Sequence, residues 1–145
     1  MQKALAPDIS TWPDADPQLI GSRCADCSAI TFPAQPRCPR CSGANTSDTL
    51  LPRTGTLIAW TTQGFPPGPP YQGPIGKDFV PFGVGLVQLG DALRVEGRLT
   101  ENDPAKLQFG MDVELTMIPI AVDDADPDNP AEIVTFAFTP RGVHV

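Results

Sequence analysis

Histidine is nearly missing from this 145-residue chain: the only one is His144, the penultimate residue. A Ser-His or Cys-His arrangement would rest on a terminal side chain, which removes most nucleophilic and acid–base designs. No G-x-x-x-x-G-K-[ST] or G-x-G-x-x-G stretch occurs, so neither common backbone cradle for nucleotide phosphates is encoded. No apolar run approaches the ~20 residues of a membrane-spanning helix. The opening Met1-Gln2-Lys3-Ala4-Leu5-Ala6-Pro7 lacks the apolar stretch of a secretory leader. Basic charge is scarce as well, with 10 Lys and Arg against 17 Asp and Glu for a formal charge of −7. A protein that grips phosphate backbones is basic or carries a basic stripe, and this one does neither. Long helices are also excluded, because 18 prolines and 13 glycines punctuate the chain.

What is present begins with cysteine. The chain has four, as Cys24-Ala25-Asp26-Cys27 and Cys38-Pro39-Arg40-Cys41, separated by ten residues. A C-x-x-C turn aims two sulfurs at one point, and two such turns facing each other supply a closed set of four thiolates. That set suits a structural metal, with zinc expected and iron, as in rubredoxin-type sites, sharing the same ligands. Two disulfides or a redox dithiol are the alternatives, but nothing nearby reads as a thioredoxin-like βαβ unit. A filled thiolate shell leaves no position for a reactive water. Thiols kept as ligands fit a reducing cytoplasm, the expected location. Arg23, Arg37, Arg40 and Arg53 stand nearby against Asp26 and Asp48, and read as the electrostatic complement of a dianionic centre. A phosphate-binding role for these arginines is the sharper alternative.

The pattern divides the chain into a lead-in at 1–18, a zinc ribbon at 19–50 and a β domain at 51–145. The lead-in, broken by Pro7, Pro13 and Pro17, reads as extended or briefly helical, with Trp12 as its anchor. In the ribbon, Leu19 to Arg23 enters the first cysteine turn and Ala29 to Phe32 leaves it. From residue 51 the alternation has period two. Strands are expected at 55–62, 82–89, 93–99, 112–120 and 132–139, with Gly90-Asp91 turning the second into the third. The glycines of Phe82-Gly83-Val84-Gly85 imply bending or close backbone approach. Asp103-Pro104 opens a single helical turn between strands three and four. Five strands with a helix at that place describe an OB-fold barrel, with a five-stranded sandwich fragment as the alternative, so the fold class is mainly β, a zinc ribbon followed by a five-stranded OB-fold.

Two loops remain. Residues 64–81 hold six prolines together with Phe65, Tyr71, Lys77 and Phe79. A loop this long between barrel strands is commonly functional, and proline lowers the entropy lost when its aromatics are presented to a partner. Asp123 to Asp128 is acidic but lacks the glycine and terminal glutamate of a calcium loop, and reads as a solvated turn.

Leu19-Ile20-Gly21-Ser22-Arg23-Cys24-x-x-Cys27, Phe32-Pro33, Pro36-Arg37-Cys38-Pro39-x-Cys41, Gly55-Thr56-Leu57, Arg98-Leu99, Asp103-Pro104, Leu107 and Gly110-Met111-x-Val113 occur in that order. This series resembles the family of acyl-CoA-associated proteins with a rubredoxin-like zinc ribbon and an OB-fold, over roughly residues 16–119. The resemblance implies a non-catalytic subunit that docks onto a thiolase-fold enzyme, a thiolase or a side-chain-cleaving aldolase of lipid or steroid degradation, and helps form its acyl-CoA pocket. Other members of that family accompany hot-dog-fold hydratases. It implies a hetero-oligomer in which the partner carries the catalytic residues. Phe65, Tyr71 and Phe79 are then candidates for the partner or acyl-chain surface, and Lys77, Arg94 and Arg98 for CoA phosphates. The alternative is a single-stranded nucleic-acid binder, against which the acidic charge argues. Ser28 and Ser42 depart from the family's usual glycine after each knuckle, at positions where a left-handed backbone is expected.

Overall fold

The alternating apolar pattern folds as strands throughout, in a computed structural model that describes residues 1–68, 73–91 and 93–141. Among the described residues the strands are β1 (Gln2–Ala4), β2 (Ile20–Cys24), β3 (Ile30–Thr31), β4 (Thr46–Leu50), β5 (Thr54–Gln63), β6 (Phe82–Leu89), β7 (Leu93–Leu99), β8 (Asp112–Asp123) and β9 (Ala131–Pro140). No helix of the described residues is long and apolar enough to cross a membrane.

Strands β5 to β9 close into a ring. The order is β5–β6–β7–β9–β8, and β8 returns to β5 through Thr54–Glu114, Gly55–Val113 and Thr56–Asp112. All neighbours are antiparallel except β7 and β9, where Arg98 and Leu99 pair in parallel with Ala137 and Phe138. This is the strand order of an OB-fold barrel. The turn between β7 and β8 is a single 3-10 turn, Pro104–Lys106, capped by Asp103, whose carboxylate accepts from the Ala105 amide at 2.9 Å.

A five-stranded ring has a narrow interior, and the inward row of β6 and β7 is fitted to it. Gly85 lies directly across from Gly97. A Cβ on Gly85 would come within 2.8 Å of both Leu57 and Leu99, and one on Gly97 within 2.8 Å of Phe138 and 2.9 Å of Phe136. The missing side chains make room for those large ones. The core is Leu57, Val87, Leu89, Val95, Leu99, Leu107, Val113, Leu115 and Phe138, all 5% exposed or less.

The same core takes two residues from the ribbon. Leu19 precedes β2 and Leu51 follows β4; both are buried, and the Leu51 amide donates to the Leu19 carbonyl at 2.9 Å. Ile30 and Phe32 pack on the core from the ribbon side, with Phe32 edge-on to Phe136 at 5.8 Å. The ribbon is a three-stranded sheet, β3–β2–β4. Its third strand, β4, departs from the expected pattern. Thr46-Ser47-Asp48-Thr49 offers no apolar alternation, and it becomes a strand by pairing with β2 along all five of its residues.

Arg53 also departs from expectation. It does not join the other arginines at the cysteines. Its guanidinium donates to the carbonyls of Pro17 at 3.0 Å and Leu115 at 3.1 Å, and the Leu115 amide donates to the Arg53 carbonyl at 2.7 Å. The side chain ties the lead-in to β8 at the ribbon–barrel junction. The lead-in itself is more ordered than its prolines imply: β1 adds in parallel to β9, and Lys3 pairs with Asp123. Trp12 is half-buried and lines a crevice with Arg53, Thr116 and Met117. Beyond Asp123 the acidic residues form an exposed turn, in which Asp126 accepts from the Asp128 amide at 3.1 Å.

Gly97→Ala tests the fitted interior. The added methyl meets two aromatic rings rather than a flexible end, so it should cost about 1–3 kcal/mol. The check is a urea unfolding midpoint that falls while the slope is unchanged.

Candidate metal centre

The two cysteine turns are built alike. In the first, the Ser28 amide donates to the Cys24 carbonyl at 2.8 Å and the Cys24 amide to the Ala29 carbonyl at 2.9 Å. In the second, the Ser42 amide donates to the Cys38 carbonyl at 2.8 Å and the Cys38 amide to the Gly43 carbonyl at 2.9 Å. Each turn closes through a left-handed serine, with φ of 66° at Ser28 and 64° at Ser42. The strain expected from serine at these positions is therefore present. Gly43 shows why the second turn continues with glycine, since a Cβ there would lie 2.6 Å from the Asp26 carboxylate and 3.2 Å from the Cys41 sulfur. Asn45 holds Asp26 in place through bonds of 3.2 and 3.3 Å to its carboxylate oxygens.

All four cysteines are free thiols, and their sulfurs lie within 4.8 Å of one another. Cys24 and Cys41 are 3.6 Å apart and Cys27 and Cys38 3.5 Å. A tetrahedron with metal–sulfur bonds of ~2.3 Å has edges of about 3.8 Å, so the set fits a four-coordinate ion. Two sulfurs are buried with their residues, Cys24 and Cys38, while Cys41 faces solvent. The titration behaviour is unequal. The Cys38 thiol is lowered to about 7, first by the Cys41 backbone amide and, against the effect of burial, by that of Arg40, which donates to Cys38 Sγ at 3.4 Å. At Cys41 the Gly43 amide works downward, but the side chains of Cys24, Cys27 and Cys38 and burial outweigh it and push the thiol up to about 12. Four thiolates become compatible at this spacing only with a cation between them. The centre is closed, with four protein ligands and a small hairpin sheet beside it, which is the arrangement of a structural rather than a catalytic ion.

Around the centre, Arg37 donates to the Ser42 carbonyl at 3.2 Å and so braces the second turn. The other candidate residues lie far along the fold. Phe79 and Phe82 meet edge to face at 6.1 Å, and the Arg98 guanidinium stacks 3.7 Å over the Phe82 ring. Lys77 sits in the exposed 3-10 turn Gly76–Asp78 just before them. Phe65 is exposed on the other limb of the loop, and Tyr71 lies outside the described residues. Arg94 is four residues along β7 from Arg98 and is held by Gln88, whose side-chain oxygen accepts from its Nε at 2.9 Å. Phe82 joins these residues through the fold alone: the β6–β7 register places Val84 opposite Arg98 and so Phe82 on its diagonal.

A four-cysteine ribbon leading into a closed five-stranded barrel defines a rubredoxin-like zinc ribbon joined to an OB-fold. Family comparison divides the chain in the same sense: residues 11–47 match the ChsH2 rubredoxin-like zinc ribbon domain and residues 48–117 the ChsH2 C-terminal OB-fold domain. The chain belongs to this ChsH2-type, DUF35 family. A DUF35 domain-containing scaffold protein of Pyrococcus furiosus is 32% identical over 110 residues, covering 75% of each chain. A probable enoyl-CoA hydratase alpha subunit of Thermomonospora curvata is 29% identical over 134 residues, which is 87% of this chain but 38% of that protein. Among solved structures, a chain of the Ltp2–ChsH2(DUF35) aldolase superimposes with a TM-score of 0.55 at 27% identity, covering 85% of this chain and 84% of that one.

Three outcomes test the centre. Elemental analysis should find about one metal per chain, retained less well against a chelator as pH falls, because protons compete with the ion for the thiolates. Cys38→Ser should abolish binding. Ser28→Gly and Ser42→Gly should each raise the melting stability of the loaded protein by about 0.5–1 kcal/mol by relieving the left-handed turn.

Proposed function

We propose that this chain is a non-catalytic, zinc-bearing OB-fold subunit that docks onto a thiolase-fold enzyme, a thiolase or a side-chain-cleaving aldolase, and helps form its acyl-CoA pocket. The observation that carries this reading is the superposition on a chain of an aldolase complex over 85% of the present chain. The scaffold protein of P. furiosus and the alpha subunit of a probable hydratase of T. curvata support it, since a scaffold and a subunit both belong to assemblies. The metal in this reading is zinc, held by Cys24, Cys27, Cys38 and Cys41, with a structural task. A ribbon of about thirty residues cannot bury enough apolar surface to hold itself, and an ion is one of the staples small units use.

The acyl-CoA would meet the proline loop and the adjoining end of β6. Phe79 and Arg98 both lie against Phe82 there, and Lys77 stands two residues before Phe79, which supports the reading. Phe65 and Tyr71 belong to the same loop. Arg94 belongs to the same strand face but is about 13 Å from Arg98 at the rise of a β-strand, so it serves a different part of the ligand or the partner.

The test is co-purification. The tagged chain should recover a thiolase-fold subunit from its source cells, and the pair should turn over an acyl-CoA that neither component converts alone. A chain that stays monomeric and gains no stability from such a subunit would overturn the proposal, and so would full activity of either component without the other.

A further inference from the structure

The geometry points to Asp26 and Asn45 as positioning residues of the metal centre: they clasp the two cysteine turns together through contacts that use no sulfur, so that an ion meets four ligands already in register. The clasp rests on the reading of the four cysteines as one metal site.

Each cysteine turn closes on itself, through the Ser28 amide in the first and the Ser42 amide in the second. Neither closure fixes where one turn stands relative to the other, and ten residues of chain separate them. Four sulfurs within 4.8 Å of one another require that the two turns be brought together and held. With no other contacts, the ion would have to order the intervening chain against its conformational entropy. The second turn is instead held at both of its ends. Where the chain enters it, Gln35 lies three residues before Cys38. The Gln35 amide donates to Ser22 Oγ of β2 at 3.0 Å, and its carbonyl accepts from Thr46 Oγ1 of β4 at 2.8 Å. Ser22 is buried.

Where the chain leaves the second turn, Asn45 is fastened twice to the first. Its backbone carbonyl accepts from the Ala25 amide at 2.8 Å, and its side-chain amide donates to the two carboxylate oxygens of Asp26 at 3.2 and 3.3 Å. Ala25 and Asp26 are the two residues between Cys24 and Cys27, so this tie reaches the first turn between its ligands. The next residue, Thr46, pairs with Cys24 itself in the β2–β4 ladder. Gly43 lets the turns approach this closely, since a Cβ there would meet both the Asp26 carboxylate and the Cys41 sulfur. Charge does not explain an aspartate at this place, because a carboxylate beside four thiolates adds repulsion. Contact does: both of its oxygens are engaged by Asn45 across the gap between the turns. Groups that orient the ligands of a metal in this way set its affinity without touching it.

The experiment uses the full chain, reduced and stripped of metal with a chelator, then titrated with cobalt(II), whose absorption reports four-thiolate coordination. Zinc then displaces the cobalt and gives the relative affinity, and cooperative melting is followed in every variant. Asn45→Ala and Asp26→Ala should each weaken binding about 10-fold, equivalent to about 1.4 kcal/mol. The double variant should lose no more than either single one, because both remove the same contact. Asp26→Asn keeps an oxygen that accepts from the Asn45 amide, and should bind as the parent does or more tightly. Asp48→Ala removes an exposed carboxylate of β4 and is the control, with affinity unchanged. If the parent takes up no metal, the centre and the clasp fall together. If the parent binds and the alanine variants bind equally well, the clasp is overturned and the centre stands. Full additivity in the double variant, no rescue by Asp26→Asn, or an equal loss in the Asp48 control also overturns it. Should the alanine variants fail to melt cooperatively, Thr46→Val replaces them and removes only the hydroxyl that holds Gln35. A loss of about 3-fold or more is then expected, and parent-like binding overturns the clasp.

Discussion

The ribbon and the barrel are joined at two leucines. Leu19 enters the ribbon and Leu51 leaves it, their backbones are hydrogen-bonded at 2.9 Å, and both side chains are 2% exposed or less within the barrel's own core. Burying each contributes about 1.5–3 kcal/mol, a substantial fraction of what a small domain has in hand. The pair pinches the ribbon into a loop whose two ends cannot separate without opening the barrel. Arg53 repeats the constraint in polar form by donating to carbonyls on both sides of the junction. From that junction the metal lies at the far end of β2 and the barrel at the near end, so three strands transmit order from one to the other.

The parts of this architecture that sequence makes legible are those with a short-range cause. The C-x-x-C pairs announce their geometry by spacing alone, and the left-handed turns at Ser28 and Ser42 follow from it. The β6–β7 hairpin is readable because Gly90-Asp91 and strict alternation agree, and Asp103-Pro104 marks the 3-10 turn between β7 and β8 with a cap and a proline. What escapes is long-range. β4 is polar, and becomes a strand because β2 offers it a ladder; β1 is three residues long and exists through its pairing with β9. Arg53 looks from its neighbours like a member of the basic group at the cysteines, but its partners are 36 and 62 residues away in sequence. Phe82 gains its meaning from Arg98, across a hairpin register that must be laid out before the two can be seen to meet.

Functionally the molecule separates its tasks. The metal centre is closed and placed at one end, where its chemistry is spent on holding a small sheet together. Histidine, the commonest acid–base side chain, occurs once in the chain, at His144. What remains exposed and specific is a loop stiffened by proline and a barrel face whose outward row is apolar. Membership of a family whose relatives include scaffold proteins agrees with a structural task for the metal.

The closed ring has a consequence for how such a chain changes. An open sheet is recognised partly through its backbone edge, so its partners are constrained by the register of a ladder. Here β6 is paired on one side with β5 and on the other with β7, so what it shows outward is side chains alone. Those side chains contribute little to the core, while the inward glycines and leucines fix the barrel. Substitutions on the outer row therefore leave folding intact and alter recognition alone. The outer row can thus be rewritten by a handful of surface replacements, with the metal ribbon and the interior carried over untouched.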